Sequence, residues 1–126
     1  MIIGHGVDVQ DVERIRRLLD YAGDDFLIST FTQEERAIEC GDQERAEFLA
    51  GRLAAKEAVG KALGTGIAGE IAFLHIEIIR KDGGQPLARL YGPARDAADS
   101  LGANRWLVSI SHTEHVAFAS AIAVHD

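Results

Sequence analysis

Two hydrophobic periods alternate along the chain, and their order predicts an α+β fold. Residues 2–9 (IIGHGVDV) are rich in β-formers and run into an acidic cluster, which predicts a short strand opening into a helix. Over 11–21, Val12, Ile15, Leu18 and Leu19 recur at helical spacing while Arg14, Arg16 and Arg17 occupy other faces. Phe26, Leu27, Ile28 and Phe31 continue an apolar surface. Thr32 and Glu35 then have the spacing of a capping box, so a further short helix starts there. The longest helix covers 42–63, built from Ala, Leu, Glu, Arg and Lys, and stops where Gly64, Gly66 and Gly69 open a loop. Residues 72–80 (AFLHIEIIR) read as a strand, Asp82-Gly83-Gly84 as a turn, and 86–91 as the returning partner. Pro93 suits the first turn of a helix that ends near Gly102.

A second hairpin follows, from 106–111 (WLVSIS) and 116–124 (VAFASAIAV). In the last strand Val116, Phe118, Ile122 and Val124 share one face, and Ala117, Ala119, Ala121 and Ala123 the other. Apolar on both sides, such a strand needs two covers: a helix on one face and a close neighbour on the other. The small alanine face is the one expected to meet another subunit.

At 126 residues the chain has the length of one domain, and 47% hydrophobic with 26% charged residues is ordinary for a globular protein. The net charge of −7 argues against a general nucleic-acid binder. That excess is regional, because residues 20–47 alone sum to −7 while 13–17 and 52–61 each sum to +2. Cys40 is the sole cysteine, which excludes an intrachain disulfide and fits a reducing compartment. No 18-residue apolar run occurs, so the expectation is a cytoplasmic protein with no membrane span.

Candidate chemistry lies in three places. Gly64-Thr-Gly66-Ile-Ala-Gly69 matches G-x-G-x-x-G, but a dinucleotide fingerprint needs a strand before it and a helix after it, and here the order is reversed. His112-x-x-His115 is half a metal site at most. The stretch Arg52-Leu-Ala-Ala-Lys56-Glu57-Ala-Val-Gly-Lys61 offers three cations and a carboxylate. Two readings fit it: a solvated face with a Glu57–Lys61 ion pair, or a polyphosphate site in which Glu57 helps hold Mg²⁺ and an ammonium offsets phosphate charge. Asp8, at the end of the first strand, is the natural second carboxylate.

Gly6-Val-Asp8, then Phe48-Leu-Ala-Gly-Arg52-Leu-Ala-Ala-Lys56-Glu57-Ala-x-x-Lys61-Ala-x-Gly64-Thr-Gly66, then Val108-Ser-Ile-Ser-His112-Thr113 resemble, in order and spacing, the three signatures of the holo-acyl-carrier-protein synthases. The resemblance extends over essentially the whole chain. It implies a small single-domain 4′-phosphopantetheinyl transferase fold with an antiparallel sheet packed against a long helix. It also implies transfer of 4′-phosphopantetheine from coenzyme A to a serine of an acyl carrier protein, with adenosine 3′,5′-bisphosphate released, in support of fatty acid biosynthesis.

By the same resemblance Asp8 and Glu57 hold Mg²⁺, and Lys61 lies by the phosphates as the third catalytic residue. Arg52, Lys56, Lys61, Gly64 and His112 fall among the coenzyme A contacts. Arg14 and Arg17 face the acidic carrier protein, with Arg16 left as a solvated arginine. The resemblance implies a homotrimer whose sites lie between subunits, so that His112 of one faces Asp8 and Glu57 of another. Two groups suit the general base, Glu57 and a water held by the metal. Larger two-repeat relatives have a glutamate two positions after the metal aspartate; here Gln10 stands there, and a water is expected in place of that third carboxylate.

Overall fold

In the computed structural model, which describes residues 1–37, 40–80, 82 and 84–126, strand β1 (Ile2–Asp11) ends on its own helix cap. The Asp11 side chain accepts from the Glu13 amide and starts α1 (Val12–Ala22), which buries Val12 and Ile15. Gly83 of the first hairpin's expected turn lies outside the described residues, as do Lys81, Ile38 and Glu39. Gly23, at φ 51°, turns the chain directly into α2 (Asp24–Thr30), whose seven residues are too few for periodicity to reveal. The short helix α3 (Gln33–Arg36) carries the capping box of Thr32 and Glu35, and α4 (Asp42–Ala62) follows.

The strand expected over 72–80 begins late. His75 Nδ1 accepts from the Ala72 amide and holds Phe73–His75 in a 3₁₀ turn, so β2 spans Ile76–Arg80 and pairs with β3 (Pro86–Leu90). Helix α5 (Gly92–Leu101) has proline in its first turn and Gly102 as a left-handed cap. Strands β4 (Arg105–His112) and β5 (Val116–Val124) form the last hairpin, and the main sheet is antiparallel in the order β1-β5-β4. Its register sets Asp8, Ala119 and Ile110 in one row and Gln10, Ala117 and His112 in the next.

The two faces of β5 are used the other way round from the expectation. Ala117, Ala119, Ala121 and Ala123 are fully buried, packed in the cores that α4 builds with Leu49, Ala50, Ala54, Ala55 and Ala58. The bulky face is the open one: Val116 and Phe118 are exposed there, as are Val7, Val9 and Leu107. Small residues serve the internal contact because the helix backbone lies almost on the sheet. A Cβ at Gly4 would stand 2.0 Å from the Ala62 carbonyl oxygen, and one at Gly6 2.0 Å from that of Ala58. Midway along α4, a Cβ at Gly51 would stand 2.9 Å from Ile110 Cγ2. The helix therefore crosses the sheet diagonally, its C-terminal half over β1 and its N-terminal half over β4.

Nearly all of α4 is interior. Its N-terminal half joins α1 and α2 in one core (Val12, Ile15, Leu27, Phe31, Leu49, Leu53), and its C-terminal half joins β2, β3 and α5 in another (Val59, Ile76, Ile78, Leu90, Ala94). Gly6→Ala must lift the helix from β1, since a carbonyl oxygen cannot rotate away as a side chain can. The expected cost is about 3 kcal/mol, the upper end of the range for overpacking. Urea denaturation of the variant beside Gly102→Ala, whose strain is confined to a turn, measures it.

Candidate active site

Asp8 lies near the C-terminal end of β1, on the helix side of the sheet, and α4 brings Glu57 and Lys61 to it. The Lys61 ammonium donates to Asp8 Oδ1 at 3.1 Å and to the Val7 carbonyl at 3.0 Å. The ion pair expected between Glu57 and Lys61 is thus replaced by one that crosses from helix to strand. Two of the ammonium's three hydrogens are used, and half of the Lys61 side chain remains open to solvent. Burial raises the Glu57 pKa first, and the Asp8 charge raises it further, against the opposing effects of Lys61 and Arg14. Two carboxylates therefore share a half-buried region, each felt by the other, with Lys61 and Arg14 as the nearby cations.

That donor set fits a hard divalent cation, which takes one or two protein carboxylates and fills its remaining positions with water and phosphate oxygens. Among the described residues no cluster of three or more His, Cys, Asp or Glu side chains occurs, so His112 and His115 build no centre of their own. Gln10, two residues after Asp8 on the same face of β1, donates from Nε2 to Asp8 Oδ2 at 2.7 Å and accepts from Arg14 Nη1 at 3.2 Å. Arg14 thereby overlooks the carboxylates. Arg17 extends from α1 into solvent, with Nε 3.6 Å from Glu13, whereas Arg16 pairs with Glu13 at 2.5 Å. Gly64, at φ 83°, caps the helix just beyond Lys61.

The remaining residues lie on the other flank of α4. His112 ends β4 with Nδ1 3.5 Å from Glu47 Oε1, and the Thr113 hydroxyl, accepting from the amides of His115 and Val116, fixes the turn beyond it. Arg52 stacks its guanidinium 4.3 Å above the Phe48 ring and is almost wholly buried, with Nε lacking any hydrogen-bond partner. It opens on a cavity of about 360 Å³ that Arg80 and Ile78 also line. Burial first, and then the facing charge of Arg80, push the Arg52 pKa down to about 10 despite Glu35 nearby. A buried guanidinium with an orphaned donor and a second guanidinium lining the same cavity can receive an anion, although Glu34 and Glu35 line that cavity too. Arg80 carries no local signal in the sequence, because only the fold brings it to Arg52.

One expected contact is corrected. Lys56 has no exposed surface: its ammonium is paired with Glu35 inside the protein and lies 5.5 Å from the Phe31 ring centroid. Reaching a phosphate would leave the Glu35 carboxylate buried and unpaired, so Lys56 is a structural cation.

The 4′-phosphopantetheinyl transferase superfamily model matches residues 4–119. A holo-[acyl-carrier-protein] synthase from Shewanella amazonensis is 41% identical over 121 residues, covering 96% of this chain and 97% of its own length. One from Alkalilimnicola ehrlichii is 44% identical over 124 residues, covering 97% and 96%. Among solved structures, the holo-[acyl-carrier-protein] synthase of Neisseria meningitidis superposes with a TM-score of 0.84 at 35% identity, covering 98% of this chain and 99% of that one. The Bacillus anthracis enzyme, solved in complex with CoA (3′,5′-ADP), gives 0.80 at 33% identity, covering 100% and 99%. The fold, the carboxylates beside Lys61 and these matches agree: the chain belongs to the 4′-phosphopantetheinyl transferase superfamily, and within it to the holo-[acyl-carrier-protein] synthases.

Proposed function

We propose that the protein transfers the 4′-phosphopantetheine group of coenzyme A to a serine of an apo-acyl carrier protein, releasing adenosine 3′,5′-bisphosphate, in the service of cytoplasmic fatty acid biosynthesis. The observation that carries this is the group of Asp8, Glu57 and Lys61, a pair of carboxylates beside an ammonium that uses two of its three hydrogens. The serine oxygen forms a bond to the phosphorus that bears pantetheine, and the bridging P–O bond breaks with its electron pair going to the departing bisphosphate. Two groups suit the serine proton, the Glu57 carboxylate and a water beside it. Lys61 offers its third hydrogen to the pyrophosphate, where negative charge grows. Asp8 and Glu57 are the residues that would hold Mg²⁺, which would supply charge compensation for the pyrophosphate. The cavity of Arg52 and Arg80 takes a further phosphate of coenzyme A, with His112 as another donor on that flank.

Such a site needs more than one subunit. Asp8 and His112 both point to the helix side of the sheet, yet α4 and the β5 alanines stand between them. Coenzyme A lying between Asp8 and His112 within one chain would have to pass through the helix. Across subunits the obstacle vanishes, and the exposed face of Val7, Val9, Leu107, Val116 and Phe118 supplies an apolar surface for self-association as a homotrimer.

Incubation with an apo carrier protein, coenzyme A and Mg²⁺ should add one phosphopantetheine mass to the carrier. Asp8→Ala and Glu57→Ala should each lose that transfer by a hundredfold or more while melting near the parent temperature; near-normal turnover of both would defeat the assignment. An equimolar mixture of Asp8→Ala and His112→Ala chains, co-refolded, should recover activity, with about a quarter of sites intact by random assortment. No recovery, from variants that each form trimers in sedimentation, would mean that each chain holds a whole site. Arg80→Ala should raise the KM for coenzyme A about tenfold or more, from loss of one charge-assisted contact. Comparison with dephospho-coenzyme A identifies the phosphate concerned, since the substrate lacking it is indifferent to the substitution.

A further inference from the structure

Asp8 is held at both oxygens by different kinds of group. Lys61 donates to Oδ1 and Gln10 to Oδ2. If Lys61 turns to a phosphate, the Gln10 amide is the contact that still fixes the carboxylate. The orientation of that amide follows from its neighbours: reversed, it would set oxygen against the Asp8 carboxylate and NH₂ against the Arg14 guanidinium, both repulsive. One amide thus joins an anion to a cation and adds no charge itself. A glutamate there would crowd a third negative charge against Asp8 and Glu57, and an apolar side chain would leave Asp8 and Arg14 unconnected.

Arg14 lies in the first turn of α1, where the helix dipole disfavours a cation. Its Nη1 is held there by Gln10, four residues earlier, and its charge reaches Glu57 as well. Resting on the function proposed above, we propose that Gln10 is a positioning residue: it links the arginine that meets the acidic carrier protein to the carboxylate that meets the cation. Docking of the carrier and seating of the cation are then mechanically connected through Arg14, Gln10 and Asp8. Partners of this kind, which orient a ligand side chain without touching the metal, change metal affinity about 10–100-fold when removed. The lower end applies here, because Lys61 continues to hold Asp8.

The test uses the full protein with Mn²⁺ as the probe cation, read by electron paramagnetic resonance without carrier or coenzyme A, together with steady-state kinetics. Gln10→Ala, and Gln10→Leu which retains bulk without the amide, should each weaken Mn²⁺ binding about tenfold and raise the carrier KM more than they lower kcat. Arg14→Ala should raise the carrier KM further, and the double variant Gln10→Ala/Arg14→Ala should match it within about twofold, since Gln10 reaches the carrier only through Arg14. Unchanged Mn²⁺ affinity in both Gln10 variants, or KM effects that multiply in the double variant, would overturn the link. A parent protein that binds no Mn²⁺, or loads no carrier, would instead overturn the function on which the link rests.

Discussion

The ion pair of Lys56 and Glu35 fixes what the rest of the molecule is built around. Both side chains are shut away from solvent, and burial draws the Lys56 pKa down while Glu35 restores it in part. Glu35 gathers three elements at one carboxylate: Lys56 of α4, the Thr32 amide at the start of α3, and the Ile78 amide of β2. A second carboxylate extends the cluster, as Glu77 accepts from the Thr32 hydroxyl and the Tyr91 hydroxyl. Deleting one partner of such a pair costs about 3–5 kcal/mol, because the other is left buried and charged. The geometric effect matters more for function. With Lys56 pinned inward, α4 cannot rotate about its axis, and the next residue, Glu57, is turned about 100° away toward β1 and Asp8.

A second constraint sets the distance between that helix and the sheet. Alanines of β5, glycines of β1 and Gly51 of α4 remove the side chains that would hold the two apart. Asp8 and Lys61 are short and long side chains that meet at 3.1 Å only because Gly6 admits the Ala58 carbonyl beside them. The site's electrostatics therefore depend on residues that carry no functional group. The same close crossing makes α4 a partition, which sends the carboxylates to one flank and the Arg52 cavity with His112 to the other.

Much of this was legible in the sequence because local signals and tertiary structure agree. Gly102, Pro93 and the Thr32–Glu35 box mark real helix ends, and the alternation over 116–124 marks a real strand. Alternation cannot say which face looks inward when both are apolar, and so it does not show that the alanine face meets the helix and not another subunit. The long helix hid the fate of its cations for a related reason. Almost buried all round, α4 has no polar stripe against which Arg52, Lys56 and Lys61 can be sorted. Lys56 is distinguished from Lys61 only by Glu35, 21 residues away in the chain, and no spacing rule reaches that far. In the sequence Gln10 stands out by what it lacks, a charge, whereas its place in the structure follows from the two opposite charges it joins.

The facing guanidiniums of Arg52 and Arg80 carry a thermodynamic consequence. Folding buries Arg52 beside the exposed Arg80, and Glu35, already engaged by Lys56, offsets only part of the repulsion and of the Arg52 desolvation. The native state thus carries an electrostatic strain that an anion in this cavity would relieve. Part of the attraction for that anion is stored during folding, before any ligand is met. Ligand binding and conformational stability are linked at this point, and each rise in anion occupancy deepens the native well. The protein gives up some stability at this cavity, and an anion of the proposed substrate bound there would return it.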